Sequence, residues 1–312
     1  MARIAVLLAT FNGEGFLREQ LDSLLEQTLP DFTCYVHDDG STDATLDIVR
    51  EYAARHPGRF VLMEYPATGS AKSNFVSMLV RTKEPYIMFC DQDDVWKREK
   101  IAKSILRMEQ EEAVRGNIPL VVYSDLVVVD RSLKVIAPSY MGYMKRRPDS
   151  VSIQSILISA IVSGCTMLMN RAAVDKALEH IDVARIPMHD LWIAAVTFIY
   201  GNLLYIEEPL VLYRQHSSNV MGARKRSKWD IVRKLLHYRI KPGFFKAKRA
   251  EFTSPRSRAV LLSKYPDLPD LYRSIIVSFA GIGSKNYFQR IHFYITRGFV
   301  HRKNLLITFL WV

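Results

Sequence analysis

Three carboxylates fall within four positions at Asp91-Gln92-Asp93-Asp94. Like charges this close repel one another, and a cation among them relieves the repulsion. Hard divalent ions, held by one or two carboxylates plus substrate phosphate oxygens, suit such a cluster. Residues 85–90 form an apolar segment of strand length, and residues 97–113 read as a charged amphipathic helix. The cluster therefore stands at the carboxyl end of a buried strand, the edge of an open α/β sheet where ligands bind. Asp93 or Asp94 could instead cap the helix that follows, but a cap needs only one of the three.

The elements before this strand bring further polar groups to the same edge. Residues 4–9 are a continuous apolar strand ending in Thr10-Phe11-Asn12-Gly13, and a helix follows with Leu17, Leu21, Leu24 and Leu25 at helical spacing. Residues 32–37 form a second strand that stops at Asp38-Asp39-Gly40-Ser41-Thr42-Asp43. There Ser41 or Thr42 is placed to cap a helix carrying Leu46, Val49 and Ala53. A third strand, 60–64, leads through Lys72-Ser73-Asn74 into a helix with Phe75, Met78 and Leu79. Strand–helix alternation implies parallel pairing and a doubly wound α/β sheet. Parallel strands point the same way, so Thr10 and Asn12, Asp38 and Asp39, Lys72 and Asn74, and Asp91 and Asp93 should share one edge.

The second half is more mixed. The pattern predicts a long strand at 121–129, a helix at 153–160, a strand at 165–169 and a helix at 171–180. His189-Asp190 opens a helix to residue 200. Two short strands, 203–206 and 210–213, then end at Arg214-Gln215-His216, and beyond residue 222 the pattern is helical and basic.

The net charge of +11 is unevenly spread: residues 220–312 hold 20 Lys and Arg against 4 Asp and Glu. An acidic front and a basic tail imply two zones, the tail facing something anionic. Nucleic acid is a poor fit, because the acidic sheet edge repels a polyanion and no nucleic-acid module is recognisable. The longest apolar run, 156–169, is too short and too interrupted to span a bilayer. The amino terminus reads straight into a strand without a cleavage site. Cys34, Cys90 and Cys165 are dispersed in apolar segments, as buried thiols of a reducing compartment would be. These features predict a cytoplasmic protein.

The chain resembles the family 2 inverting glycosyltransferases of the GT-A fold over roughly its first 220 residues. The likeness is closest to the bacterial branch that includes rhamnosyltransferases of cell-surface polysaccharide synthesis. It rests on Leu8-Ala9-Thr10-Phe11-Asn12-Gly13, Asp38-Asp39-Gly40-Ser41-Thr42-Asp43, Asp91-Gln92-Asp93, His189-Asp190 and Arg214-Gln215-His216, in that order. The resemblance implies a GT-A, Rossmann-like, mostly parallel sheet flanked by helices in residues 1–220; the helical and basic pattern beyond it marks residues 221–312 as a second region. It also implies a nucleotide-sugar donor, dTDP- or UDP-linked, bound by Thr10, Phe11, Asn12, Asp38, Asp39, Lys72, Asp91 and Gln92. Within that set, Asp38 or Asp39 would accept from the pyrimidine ring, Lys72 would lie near the base or diphosphate, and Asp91 would hold the ribose. Mn²⁺ or Mg²⁺ would sit on Asp93, with His216 reaching the metal or the diphosphate. Asp190 would be the catalytic base, and His189 stands where the family carries a Glu.

Direct displacement of a sugar from a nucleoside diphosphate needs the leaving group neutralised and a carboxylate to take the acceptor's proton. Asp190 suits the second task, since it is separate from the metal cluster and follows Pro187; the alternative is a helix cap. His216 could equally be a strand-end histidine, Lys72 plain surface, and Trp96 and Trp192 core or pocket wall. A nucleotidyltransferase would want a basic phosphate loop near the amino terminus, where this chain has Glu14. In residues 285–301, a helix would place Phe288, Ile291, Ile295 and Phe299 on one arc, with Arg290, Arg297 and His301 opposite. Together with the basic clusters at 224–228 and 241–249, that arc suits peripheral docking on the cytoplasmic membrane face, where a polyprenyl-linked or other glycan acceptor is presented. The same arc could pack on the catalytic domain or on a second subunit of a homo-oligomer.

Overall fold

The computed structural model describes residues 3–216 and 256–299. Residues 3–150, 161–179 and 188–216 form one compact unit, and residues 151–160, 180–187 and 256–299 form another.

The first unit is built on a nine-stranded sheet. Its opening half is β1 (Ile4–Thr10), β2 (Phe32–Asp38), β3 (Phe60–Leu62) and β4 (Tyr86–Asp91), all parallel, in the order β3-β2-β1-β4. Residues 4–8 of β1 are buried, as a strand covered on both faces requires. Helices α1 (Leu17–Leu25), α2 (Thr45–Arg55) and α3 (Ala71–Arg81) make the crossovers. Leu17, Leu21 and Leu24 are buried, but Leu25 lies outside that stripe and is exposed. After β3 the chain crosses back past β1 to form β4. The strand order therefore reverses between β1 and β4, the crevice where open α/β sheets bind ligands.

The sheet continues through β8 (Met167–Asn170), antiparallel to both β4 and β6 (Leu120–Val129), and then β9 (Asn202–Arg214), parallel to β6. The two-residue β5 (Val95–Trp96) pairs antiparallel with the end of β9. Residues 203–206 and 210–213, expected as two strands, are one. Irregular register at Asp125 absorbs Pro209 opposite it, because a proline has no N–H for the ladder. Gly201 joins α8 (His189–Tyr200) to β9, where a Cβ would come within 1.7 Å of the Pro119 carbonyl oxygen. Trp96 and Trp192 are both buried, and the Trp192 indole donates to the Ala177 carbonyl at 2.8 Å. They are core residues, not exposed platforms. The three cysteines are buried and unbridged.

In the second unit, α6 (Ile153–Ile158) accepts an Arg258 guanidinium on the Ile156 carbonyl. Helices Asp270–Ala280 and Tyr287–Thr296 follow. The expected apolar arc is corrected here: the helix stops at Thr296, Gly298 takes φ +73°, and Phe299 turns back to stack on Phe279 at 4.6 Å. Phe293 and Tyr294 form the inward face, whereas Phe288 is 79% exposed and Leu271 of the preceding helix 80%. Arg290 is spent on the carbonyls of Lys285 and Gly283. The basic clusters at 224–228 and 241–249, and His301, lie outside the described residues. No described helix is long and apolar enough to cross a membrane.

Candidate active site

The ends of β1 and β2 are laced together by polar side chains. Thr10 is buried and its hydroxyl donates to Asp38 at 2.8 Å; the same carboxylate accepts from the N–H groups of Gly40 and Ser41 and from the Ser41 hydroxyl. Asn12 sits in the left-handed region at φ 47°, where its side-chain amide oxygen accepts from Thr42 N–H at 2.8 Å. Neither Ser41 nor Thr42 caps α2. That helix begins at Thr45, whose N–H and hydroxyl both donate to Asp43. Asp38 thus has both oxygens committed to the loop. Among the described residues, Asp39 accepts from Thr68 and Gly69 through Oδ1 alone.

Gln92 clamps the other side of this loop. Its amide accepts from Phe11 N–H at 2.8 Å and donates to the Phe11 carbonyl at 2.9 Å. A Cβ on Gly13 would fall 2.3 Å from the Gln92 amide oxygen, so any side chain there would push that amide off Phe11. Phe11 itself is 55% exposed at the crevice. Lys72 is in the first turn of α3, behind the Ser70 cap, and half-buried. Asn74, expected on the edge with it, is instead buried and pairs with His37 through ring and backbone at 2.8 and 3.1 Å.

At the end of β4 the carboxylates are not caps. Helix α4 (Lys100–Arg115) starts after Glu99 with no side-chain cap. Asp93 pairs with His216, Nε2 to Oδ2 at 2.8 Å, and the His216 ring stacks on Phe16 at 4.5 Å. Buried Arg214 ties the region together: its N–H reaches Asp94 at 3.1 Å, its Nε the Asp93 carbonyl at 2.9 Å, and its Nη2 Glu19 at 2.6 Å. Asp94 is fully buried, and Asp91, Asp94 and Cys165 each present a ligand atom within 4.8 Å of the others. Burial, then Asp93 and Asp190, push the Asp91 carboxyl up to about 7, and burial with Asp93 and Asp91 pushes Asp94 well up. Carboxylates that raise one another in this way are relieved by a cation. Among the described residues the converging ligand atoms are those of Asp91, Asp94 and Cys165, a group that leaves out Asp93 and His216; its two carboxylates suit a hard divalent ion, and the Cys165 thiol, pushed well up by burial, does not.

Asp190 approaches the same crevice from α8: it is bonded to Gly164, whose neighbour Cys165 presents its sulfur within 4.8 Å of Asp91 and Asp94 ligand atoms. The cap of α8 is Met188, without a side-chain bond. Asp190 instead accepts from Gly164 N–H at 3.0 Å and Leu191 N–H at 2.7 Å. The structure thus brings together Thr10, Phe11, Asn12, Asp38, Asp39, Asp91, Gln92, Asp93, Asp190 and His216. Asp94, Arg214 and Glu19 join them: the sequence placed Asp94 in the acidic run and Arg214 in a motif of the resemblance without giving either its own role, and Glu19 carried no signal.

Residues 5–178 match the sequence profile of Glycosyl transferase family 2. The chain belongs to that family. It is 27% identical over 226 residues to the dTDP-rhamnosyl transferase RfbG of Shigella flexneri, covering 69% of this chain and 74% of that protein. The putative teichuronic acid biosynthesis glycosyltransferase TuaG of Bacillus subtilis is 24% identical over 169 residues, 54% of this chain and 62% of TuaG. Among solved structures, S. aureus TarS 1–349 in complex with UDP-GlcNAc superposes with a TM-score of 0.62 at 17% identity, over 89% of this chain and 72% of that one. The shared fold is GT-A.

In this family 2 glycosyltransferase His189 has a structural setting. Its ring is buried between Phe75 and Phe89, with centroids at 4.4 and 4.7 Å, and neither nitrogen has a hydrogen-bond partner among the described residues. Burial pushes its pKa down to about 4, against a smaller upward pull from Asp190. The unfolded chain takes up this proton near pH 6.5 and the folded chain only near 4, so His189 costs stability progressively as pH falls between those values. A depression of this size corresponds to roughly 3 kcal/mol. His189→Phe is therefore expected to gain in Tm over the parent as pH drops from 6.5 to 4, read by thermal melts at several pH values. A Tm difference independent of pH would show that the ring titrates normally.

Proposed function

We propose that this chain is a metal-dependent, inverting glycosyltransferase. It moves a sugar, rhamnose first, from a nucleoside-diphosphate donor to a hydroxyl of a cell-surface polysaccharide or lipid-linked glycan. The observation that carries the reading is the presence of two separately held acidic groups on one crevice. Asp93, paired with His216, stands beside the buried carboxylates, and Asp190 is held, among the described residues, by backbone N–H groups. Phe11 and Asn12 border the base, with the free oxygen of Asp39 as acceptor for its ring N–H and Thr10 and Asp38 holding the loop. Asp91 holds the ribose, Gln92 fixes Phe11, and Lys72 lies on the base or diphosphate side. Asp93 and His216 would hold Mn²⁺ or Mg²⁺, which when bound would supply positive charge opposite the departing diphosphate. Asp190 takes the proton of the acceptor hydroxyl as its oxygen attacks the anomeric carbon. The two backbone bonds aim its carboxylate without filling every lone pair.

Rhamnose is favoured by the likeness to RfbG, and a UDP-hexose is the second donor class. A panel of dTDP-rhamnose and UDP-sugars, scored by thermal shift and hydrolysis with Mn²⁺, tests this. Protection by dTDP and its rhamnose conjugate is expected. Protection by UDP alone reverses the donor order, and protection by no nucleotide sugar sinks the reading.

The catalytic domain is assigned to residues 1–220, and 221–312 to docking on the cytoplasmic membrane face. Support comes from the outward Leu271 and Phe288, with Val277 and Ile295 each 50% exposed, in a region where basic residues dominate. Each Lys or Arg near an anionic surface is worth about 1 kcal/mol, so co-sedimentation with phosphatidylserine vesicles should be strong and fall with salt. A protein that ignores such vesicles at low salt uses this surface for packing.

A further inference from the structure

The sheet edge that carries Asp91 continues past the crevice to a cavity that the chemistry above leaves unused. Met88 on β4, Leu168 on β8 and Val122 on β6 stand in one row across the sheet. Both β4 and β6 run antiparallel to β8, so they point the same way and end on the same edge. Asp91 is three residues beyond Met88, and Asp125 is three beyond Val122. With neighbouring strands about 4.8 Å apart, Asp125 lies about 10 Å along the edge from Asp91. Between them the chain leads into β8, and there Gly164 donates to Asp190.

A cavity of about 560 Å³ opens beside Asp125, lined by Ser139 and Met141 at the start of α5 (Tyr140–Met144) and by Tyr205, Glu207 and Pro209 of β9. Small-molecule sites have this size. Asp125 builds its wall. The carboxylate is buried and accepts from the N–H groups of Leu126, Tyr140 and Met141 and from the Ser139 hydroxyl. Ser139 in turn accepts from Gly142 N–H at 2.9 Å. Tyr205 and Glu207, by contrast, make no hydrogen bond among the described residues. The Tyr205 ring is half-buried and backed by the buried Tyr123 ring, with centroids 5.2 Å apart. Burial, then Asp125, Tyr123 and Glu207, push the Tyr205 hydroxyl well up, so it keeps its proton.

Charge and shape select the occupant. Two carboxylates repel an anion, so a phosphate or a uronate is disfavoured. Glu207 calls for an O–H or N–H donor, and the Tyr205 phenol can both donate and accept. Met141, Pro209 and the Tyr205 ring supply apolar surface. A neutral sugar ring meets all three demands, with hydroxyls around its rim and C–H groups on its faces.

We propose that this cavity is a saccharide subsite, holding one neutral ring of the acceptor glycan while another is offered to Asp190. The inference rests on the transferase reading given above.

The test is saturation-transfer NMR on the whole chain, with methyl glucoside, methyl rhamnoside, glucosamine and glucuronate as probes. Both methyl glycosides should bind, and glucuronate should bind at least about tenfold more weakly because of the like charges. Tyr205→Phe and Glu207→Ala should each weaken glycoside binding by about three- to tenfold, the loss of one hydrogen bond. Both positions lie at the cavity and outside the nucleotide site, so nucleoside diphosphate binding should match the parent. Glycoside affinity unchanged in both variants overturns the proposal. So does a preference for glucosamine of more than about tenfold, the mark of a cation site. A parent protected by a nucleotide sugar that binds neither glycoside ends this inference alone. Glycoside binding without protection by any nucleotide sugar ends the transferase reading, and the acceptor role of the cavity with it.

Discussion

Replacing Asp190 by Asn is expected to lower kcat by about 10²–10⁴, the range that a positioned general base contributes, while donor affinity stays the same. The geometry makes this substitution informative. Both Asp190 oxygens accept from backbone N–H groups, those of Gly164 and Leu191. An Asn at this position must turn its own NH₂ toward one of those donors and lose that bond, at a stability cost of about 1 kcal/mol. A small fall in Tm is therefore expected and does not explain a loss of two or more decades in rate. Single-turnover transfer and donor binding, measured on the same preparation, separate the two effects. A variant that transfers within about tenfold of the parent, a barrier change of roughly 1.4 kcal/mol, would assign the proton to another group.

Asp93→Ala should all but abolish transfer and, unlike the change at Asp190, should also weaken nucleoside diphosphate binding in the presence of Mn²⁺. Metal stabilisation of a departing phosphate is worth several kcal/mol, so a loss of about 10³-fold or more is expected. The substitution also removes the partner of the His216 ring nitrogen, at 2.8 Å. His216→Ala should consequently share the phenotype in weaker form. Calorimetric titration of the nucleoside diphosphate with and without Mn²⁺ checks both. Undiminished turnover in excess chelator would remove the metal from the mechanism, whatever the variants do.

Much of this site was legible in the chain because its signals are local. Continuous apolar runs at 4–9 and 85–90, each closed by polar residues and followed by a helical period, identify buried parallel strands without any distant information. Parallel strands share a direction, so Thr10, Asp38 and Asp91 had to meet at one edge, and the register confirms it: Thr10 faces Asp38, and Ala9 faces Asp91. The same local rules failed at β9. There the period breaks at Pro209 although the ladder continues, because the irregular register of β6 is a property of the partner strand.

Tertiary structure decided which polar residues face the ligand and which serve the fold. Asn74 and Gln92 look alike in sequence, yet one locks His37 inside and the other clamps Phe11 at the crevice. Asp94 and Lys100 are residue types that normally sit in water, and both are buried here. His189 and Asp190 are neighbours in one helix turn, but one enters an aromatic pocket and the other meets a backbone N–H from Gly164, 26 residues earlier. Phe299 keeps the spacing of a surface arc until the helix ends at Thr296 and it folds back on Phe279. Periodicity and charge are properties of a segment and can be read along it. A carboxylate's partner and a ring's neighbours come from elements far apart in the chain, and only packing brings those together.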